Sequence, residues 1–327
     1  MSRRRRPTFS RRRRQVRRFR VLVLVAIALV GLATWLILGV ALSGSSSKTE
    51  PDSTRSIVLL EGERQIGRVN VPADGSSASA REIRRQVAEL TPTRATRRSG
   101  RARIVYRYDR ASSAQRVLNA AIAGKPAALV ARRPVAASIA TEVVAQAQRN
   151  TCESAALSIL LSSLGVIIAQ ERLQRMLPVS GTADPIGDGT VRVWGDPDRG
   201  FVGRPDGGGV AGGFGVYPGP VASVARRLDV PLVDMTGASP KHIYERLLSG
   251  RAVMAWIGLS DGPFGEWRSP SGKAIRVNFG EHTVVLRGIR LDGRIDVVNP
   301  LQGTEETWTA SEFELLWNRL GRRALST

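Results

Sequence analysis

Four side chains of this sequence could together break an acyl bond. Cys152 is the only cysteine among 327 residues and stands in "QAQRNTCESAALSILLSSLG", residues 146–165. The thiolate is the reactive form of cysteine. It is stabilised at helix N-termini, where free backbone N–H groups and the positive end of the macrodipole converge. Asn150, with Glu153 three positions on, predicts a capping box with Asn in place of Ser or Thr. Cys152 is then the second residue of an amphipathic helix through Ala156, Ile159, Leu160 and Leu164. An unpaired cysteine is also a small core residue, but a core position would sit further along, on the Ile159/Leu160 face. A nucleophilic thiol needs a base, and the base needs an orienter. His282 opens the alternating stretch "HTVVLRGI", and Asn299 ends the next one, "GRIDVVNP". A turn near Asp292-Gly293 puts both on one face of a hairpin. A two-residue turn leaves them four residues apart, about 13 Å by strand rise, so the strands must shear or the turn must widen. Gln146 could add its amide to the Cys152 N–H as an oxyanion donor, with Gln148 as competitor. His242, in the first turn of "SPKHIYERLL", is expected to face solvent or cap locally.

Other chemistries find less support. One cysteine excludes an intramolecular disulfide and a Cys-rich metal site, and two histidines find no carboxylates at zinc-like spacing. Neither a metal nor a cofactor is expected. The Gly-rich stretch at 180–220 lacks the Gly-Lys-Ser/Thr of a P-loop. Its Asp184, Asp188, Asp196, Asp198 and Asp206 lack EF-hand register, and the stretch reads as a loop framing a cleft. The net charge is +21, of which eleven arginines in the first twenty residues supply more than half. The remaining 307 residues carry +10, and only four of 49 basic residues are lysine. With alanine abundant, that bias reads as coding preference, and no nucleic-acid-binding motif accompanies it; no nucleic acid partner is expected.

The elements that must position these residues occupy only part of the chain. Residues 1–20 form an Arg-rich tail, and residues 21–42 run 22 positions without a charge, enough to cross a bilayer. The arginines place the tail on the cytoplasmic side and the remainder outside. The expectation is a single-pass cell membrane protein whose lipid contact is residues 21–42. A cleavable signal peptide has a shorter apolar core, and a twin-arginine signal is the lesser alternative. Residues 43–55 read as a flexible linker and 56–135 as a small α+β domain without catalytic residue types. That domain is expected to serve as a spacer or a docking unit. From 140 to 327, helices come first and strands dominate afterwards, an α+β pattern closed by a helix with a Thr309–Glu312 capping box.

A Gln ahead of a helix-starting Cys, a His opening a strand and an Asn closing the following strand resemble papain-like cysteine peptidases. The closer resemblance is to the bacterial branch related to peptidases that remove double-glycine leaders from bacteriocins. "NTCESAALSILLSSLG", "GFGVYPGPVASVARR", "GEHTVVLRGI" and "VVNPLQGTEETWTASEFELLWNRLG" carry it, over about residues 140–325. Relatives usually have Gly or Pro just before the cysteine, where this chain has Asn150-Thr151, and many have Asp in place of Asn299. The resemblance implies a papain-like α+β fold, with Cys152 as nucleophile, His282 as base, Asn299 as orienter and Gln146 as oxyanion donor. It implies a thiol hydrolase of peptide or isopeptide bonds. The substrate would be a peptide or protein outside the membrane, cell-wall peptide among them. A catalytically inactive binding module and a transglutaminase-type acyl transferase are the alternatives.

Overall fold

The computed structural model describes residues 54–61, 64–72, 77–90, 94–108, 115–120, 123, 125, 127–129, 133–187, 192–208 and 212–327. The tail (1–20), the apolar stretch (21–42) and nearly all of the linker (43–55) lie outside the described residues. Among the described residues, no helix is long and apolar enough to cross a membrane.

Alternating apolar residues make the first hairpin. Strand β1 (Thr54–Glu61) pairs antiparallel with β2 (Arg64–Pro72), and β5 (Ala127–Leu129) adds in parallel on the other edge of β1. Helix α1 (Ser77–Leu90) turns Ile83 and Val87 inward, where they meet Ile57, Leu59, Val69, Val117 and Ala127 in a small separate core.

The rest of the stretch expected as a small domain behaves differently. Strands β3 (Arg94–Ser99) and β4 (Ala102–Arg107) pair with each other, and β4 pairs with β6 (Arg133–Ile139). In turn β6 pairs with β13 (Glu281–Ile289) through Ser138 and Ala137. Residues 56–135 therefore contribute to two sheets, and β6 crosses the boundary expected between 135 and 140. With β9 (Val233–Asp234), β10 (Val253–Gly258) and β16 (Ala324–Ser326), the large sheet has nine strands among the described residues, in the order β3-β4-β6-β13-β10-β16-β9; β14 (Ile295–Asn299) pairs with β13, and β15 (Thr304–Trp308) pairs with β14. Strand β10 (Val253–Gly258) is buried at every position, so both faces of the sheet centre are covered.

Helix α2 (Cys152–Ser162) packs on β13 and β10 and is covered by α3 (Gln170–Met176) and α4 (Pro218–Arg226). The expected amphipathic stripe is not what forms. Of its eleven residues, ten are buried and only Ser158 is partly exposed, because protein surrounds the helix on all sides. The expected cap also shifts by one residue. Thr151 takes the cap position, at φ −114° and ψ 24° and without a side-chain cap bond, so Cys152 is the first helical residue. Asn150 instead holds the Gly-rich segment, its Nδ2 donating to the Arg204 carbonyl at 2.9 Å and the Gly207 carbonyl at 2.6 Å. The glycines of β8 (Gly213–Gly215) follow from that closeness. A Cβ on Gly213 would fall on the Asn150 amide, and one on Gly215, at φ 121°, would fall on the Glu153 carboxylate.

Gly213→Ala is expected to cost about 1–3 kcal/mol by overpacking. Adding Asn150→Ala should make the double variant more stable than the sum of the single effects predicts, as read from urea denaturation. Strict additivity would show that the two residues do not press on each other.

Candidate active site

The hairpin of β13 and β14 brings His282 to Asn299, and its register supplies the shift that a two-residue turn lacks. The Arg290 N–H bonds the Arg294 carbonyl at 2.8 Å, leaving a three-residue loop with Gly293 at φ 85°. A register shift between Leu286 and Gly288 moves the strands by one residue more, so Val284 would face Asn299 by continuing the Val285–Val298 pair. His282 lies two residues from Val284 on the same face, and the ring closes the remaining gap. Its Nε2 meets Asn299 Oδ1 at 2.8 Å, with both side chains buried.

The amide orientation is fixed from behind. Asn299 Nδ2 donates to Glu306 Oε1 at 2.8 Å, and the Leu301 N–H donates to Asn299 Oδ1 at 3.0 Å. Oδ1 can only accept, so the imidazole proton sits on Nε2 and Nδ1 keeps the lone pair. Glu306 is itself held by the Thr304 hydroxyl at 3.2 Å and the Trp308 indole N–H at 2.8 Å. Burial pushes the His282 pKa down, while the Asn299 hydrogen bond and the Glu306 charge partly restore it. Sequence reasoning stopped at Asn299. The alternation "TEETW" offered the only hint, since Glu306 and Asn299 come from adjacent antiparallel strands.

Cys152 is buried at the start of α2, but its surroundings reverse the expected electrostatics. The sulfur lies 3.4 Å from Glu153 Oε2, in the geometry of a thiol donating to a carboxylate. Oε1 of Glu153 accepts the Val216 N–H at 2.6 Å, and the Val216 carbonyl accepts the Trp256 indole N–H at 2.9 Å. Glu153 is thus no capping residue. Glu281, next to His282 but on the opposite face of β13, completes a cluster: Cys152, Glu153 and Glu281 each place a donor atom within 4.8 Å of the other two. Burial pushes the thiol well above its usual range, and the Glu153 and Glu281 charges push it further. The Thr283 hydroxyl opposes this more weakly. Burial also raises the Glu153 carboxyl to about 7 and lifts Glu281, which the Glu153 charge lifts again. The expectation of a thiolate favoured by the helix N-terminus is corrected here. A macrodipole contributes about 0.3–1 kcal/mol, up to ~2 when partly buried, less than desolvation and two adjacent carboxylates take away. Among the described residues, this is the one set of three potential metal donors. Two of its oxygens already accept hydrogen bonds from Val216 and Thr283.

Gln146 lies on the same side of the site, its N–H bonded to the Pro300 carbonyl at 2.7 Å. Its amide nitrogen is engaged twice, donating to the carbonyls of Gln148 at 2.9 Å and Arg149 at 2.7 Å. Both protons of that NH₂ are spent on the loop before Cys152, and Oε1 is buried without a partner. Gln148 is exposed. His242 meets Ser239 Oγ at 3.3 Å on the surface, as its place in the first turn of α5 (Pro240–Leu248) suggested. Among the described residues, no hydrogen bond joins the Cys152 sulfur to the His282 ring.

Residues 139–325 match the model of the Peptidase_C39-like family. The chain belongs to that family. This C39-like portion is a papain-like cysteine peptidase domain, built on α+β architecture with antiparallel sheets. A crystal structure of a C39-like peptidase from Bacillus anthracis is 26% identical to it, covering 58% of this chain and 96% of the other at a TM-score of 0.49. No curated protein matches.

The raised Glu153 carboxyl sets a pH dependence. The folded C39-like domain keeps a proton there that the unfolded chain has released, so this stabilisation is complete below about pH 4.5 and is lost as pH rises through about 7. Glu153→Gln keeps an acceptor for the Val216 N–H and cannot ionise. The fall in Tm between about pH 5 and 8 should flatten in this variant, and iodoacetamide alkylation of Cys152 should shift to lower pH. Unchanged profiles in both measurements would remove Glu153 from control of the thiol.

Proposed function

We propose that this protein is a membrane-anchored cysteine peptidase that hydrolyses peptide or isopeptide bonds through Cys152, His282 and Asn299. The observation that carries the reading is the His282–Asn299 pair, which leaves the Nδ1 lone pair uncommitted. In this mechanism the Cys152 thiol passes its proton to His282 Nδ1 as the sulfur attacks the scissile carbonyl carbon. The imidazolium, steadied by Asn299 and the Glu306 charge behind it, returns that proton to the leaving amine as the C–N bond breaks. Water, deprotonated by the same nitrogen, attacks the thioester and frees the acid and the thiol. The oxyanion is received by the Cys152 N–H, an orphan donor of the first turn of α2. Gln146 joins it once one of its two carbonyl bonds is exchanged for the substrate oxygen.

The raised thiol fits an enzyme whose resting nucleophile is protonated and is activated during attack. It equally suits the second reading, a papain-fold binding module without turnover. A p-nitrophenyl ester separates the two. Acylation of Cys152, followed by mass spectrometry, should vanish in Cys152→Ala and slow by about 10²–10⁴ in His282→Ala, the usual range for general base catalysis. Glu306→Ala should slow it less and move the acidic limb of its pH profile downward, because the His282 ring loses a supporting charge. Equal acylation of wild type and His282→Ala favours the binding module.

The cellular placement rests on the charge-free residues 21–42 behind eleven arginines. Inserted with the tail inside, they hold the peptidase domain outside the cell membrane, facing exported proteins and cell-wall peptide. The full-length chain should sediment with membranes, and its C-terminal part should be lost when intact cells are treated with protease.

A further inference from the structure

The positive charge of the folded part is confined to one place. Residues 43–90 hold seven basic and seven acidic side chains, and residues 141–327 hold twenty of each. Residues 91–140 hold ten arginines and one lysine against a single aspartate. Strands β3, β4 and β6 come from this stretch, and their pairing concentrates it further. Arg98 stands directly opposite Arg103, and Arg94 opposite Arg107, which in turn stands opposite Arg133. Directly opposed residues share a face, as do residues four apart on one strand. All five arginines therefore project from the same side, and all five are exposed. The other side of the ribbon is spent on the main core through Ala102 and Ile104.

Like charges facing each other across strands cost stability, and among the described residues no carboxylate pairs with any of the five. Elsewhere on this protein exposed arginines find carboxylates, as Arg290 does with Asp296 and Arg294 with Asp292. Those two pairs border a groove of about 400 Å³ on the same side of the sheet, whose opposite wall carries Arg103 and Ser138. Strand geometry puts the Arg98/Arg103 row about 13 Å from the Arg94/Arg107/Arg133 row, and neighbouring strands about 4.8 Å apart.

We propose that this face binds a linear polyphosphodiester through its phosphates. Guanidinium groups recognise phosphate oxygens bidentately, and two rows leading to a groove match a chain better than a plane. A bilayer surface is flat, whereas sheet strands rotate by about 20–25° from one to the next and the groove is concave. A nucleic acid would add base stacking on aromatic rings. The only aromatic among the paired residues of β3, β4 and β6 is Tyr106, which lies on the inner side with Ala102 and Ile104. The binding is independent of the chemistry at Cys152.

The test uses the full-length protein in neutral detergent and an end-labelled synthetic glycerol phosphate oligomer, titrated over a range of salt. The variant R94Q/R98Q/R103Q/R107Q/R133Q should lose about 3–4 units from the slope of log K against log salt, near 0.7 per phosphate contact. The variant R172Q/R175Q/R192Q/R199Q/R226Q removes the same charge from the balanced part of the chain and should keep the wild-type slope. The N-terminal tail is present in all three proteins and cancels. Equal slopes in the two variants, or no change in either, would overturn the proposal. So would tighter binding of single-stranded DNA with equal phosphate number, or a loss seen only on phosphatidylglycerol vesicles. Unchanged Cys152 acylation in the first variant confirms that it is folded.

Discussion

A carboxylate with no exposed surface sets the terms for this molecule. Glu153 follows the cysteine in sequence, accepts the Val216 amide, and through the Val216 carbonyl is linked to the Trp256 indole at the centre of the sheet. Helix start, Gly-rich segment and central strand are joined at this point. A side chain lacking that acceptor would leave the buried Val216 N–H unsatisfied, at a cost of about 1–3 kcal/mol. The same carboxylate faces the sulfur, so the joint that holds the site together also favours the protonated Cys152 thiol. The packing of the site and the ionisation of the thiol draw on one group, and the proton is the quantity they share.

Local signals were legible in the sequence, and long-range ones were not. The Thr309–Glu312 capping box forms as its spacing indicates, because both partners lie within one helical turn. The β1–β2 hairpin and the histidine-to-asparagine pairing follow from alternation and turn position. The wider loop and register shift that complete the second pairing depend on neighbouring strands. Asn150 has the right residue type and spacing for a cap, yet its amide answers to carbonyls more than fifty residues later. No window around the helix contains that competitor. Glu281 and Glu153 are likewise ordinary charges in sequence, and become an electrostatic unit only when β13 crosses the start of α2.

Composition gave a second instance. Arginine abundance read as coding preference is a sound account of the average, and the balanced segments on either side agree with it. Strand pairing then turns an uneven stretch into rows on one face, a spatial statistic that counting along the chain does not contain.

The strand β6 has a consequence for where this protein can be divided. It pairs with β4 on one edge and with β13 on the other, and β13 carries His282. The family match starts at residue 139, the last position of β6. A chain trimmed to that limit would lose the strand and uncover the edge of β13 that it pairs with at Gly288 and Ile289. An uncovered edge of this kind is a template for pairing with other chains. The hydrogen-bonded sheet, more than the limits of sequence similarity, defines the smallest piece able to stay soluble by itself.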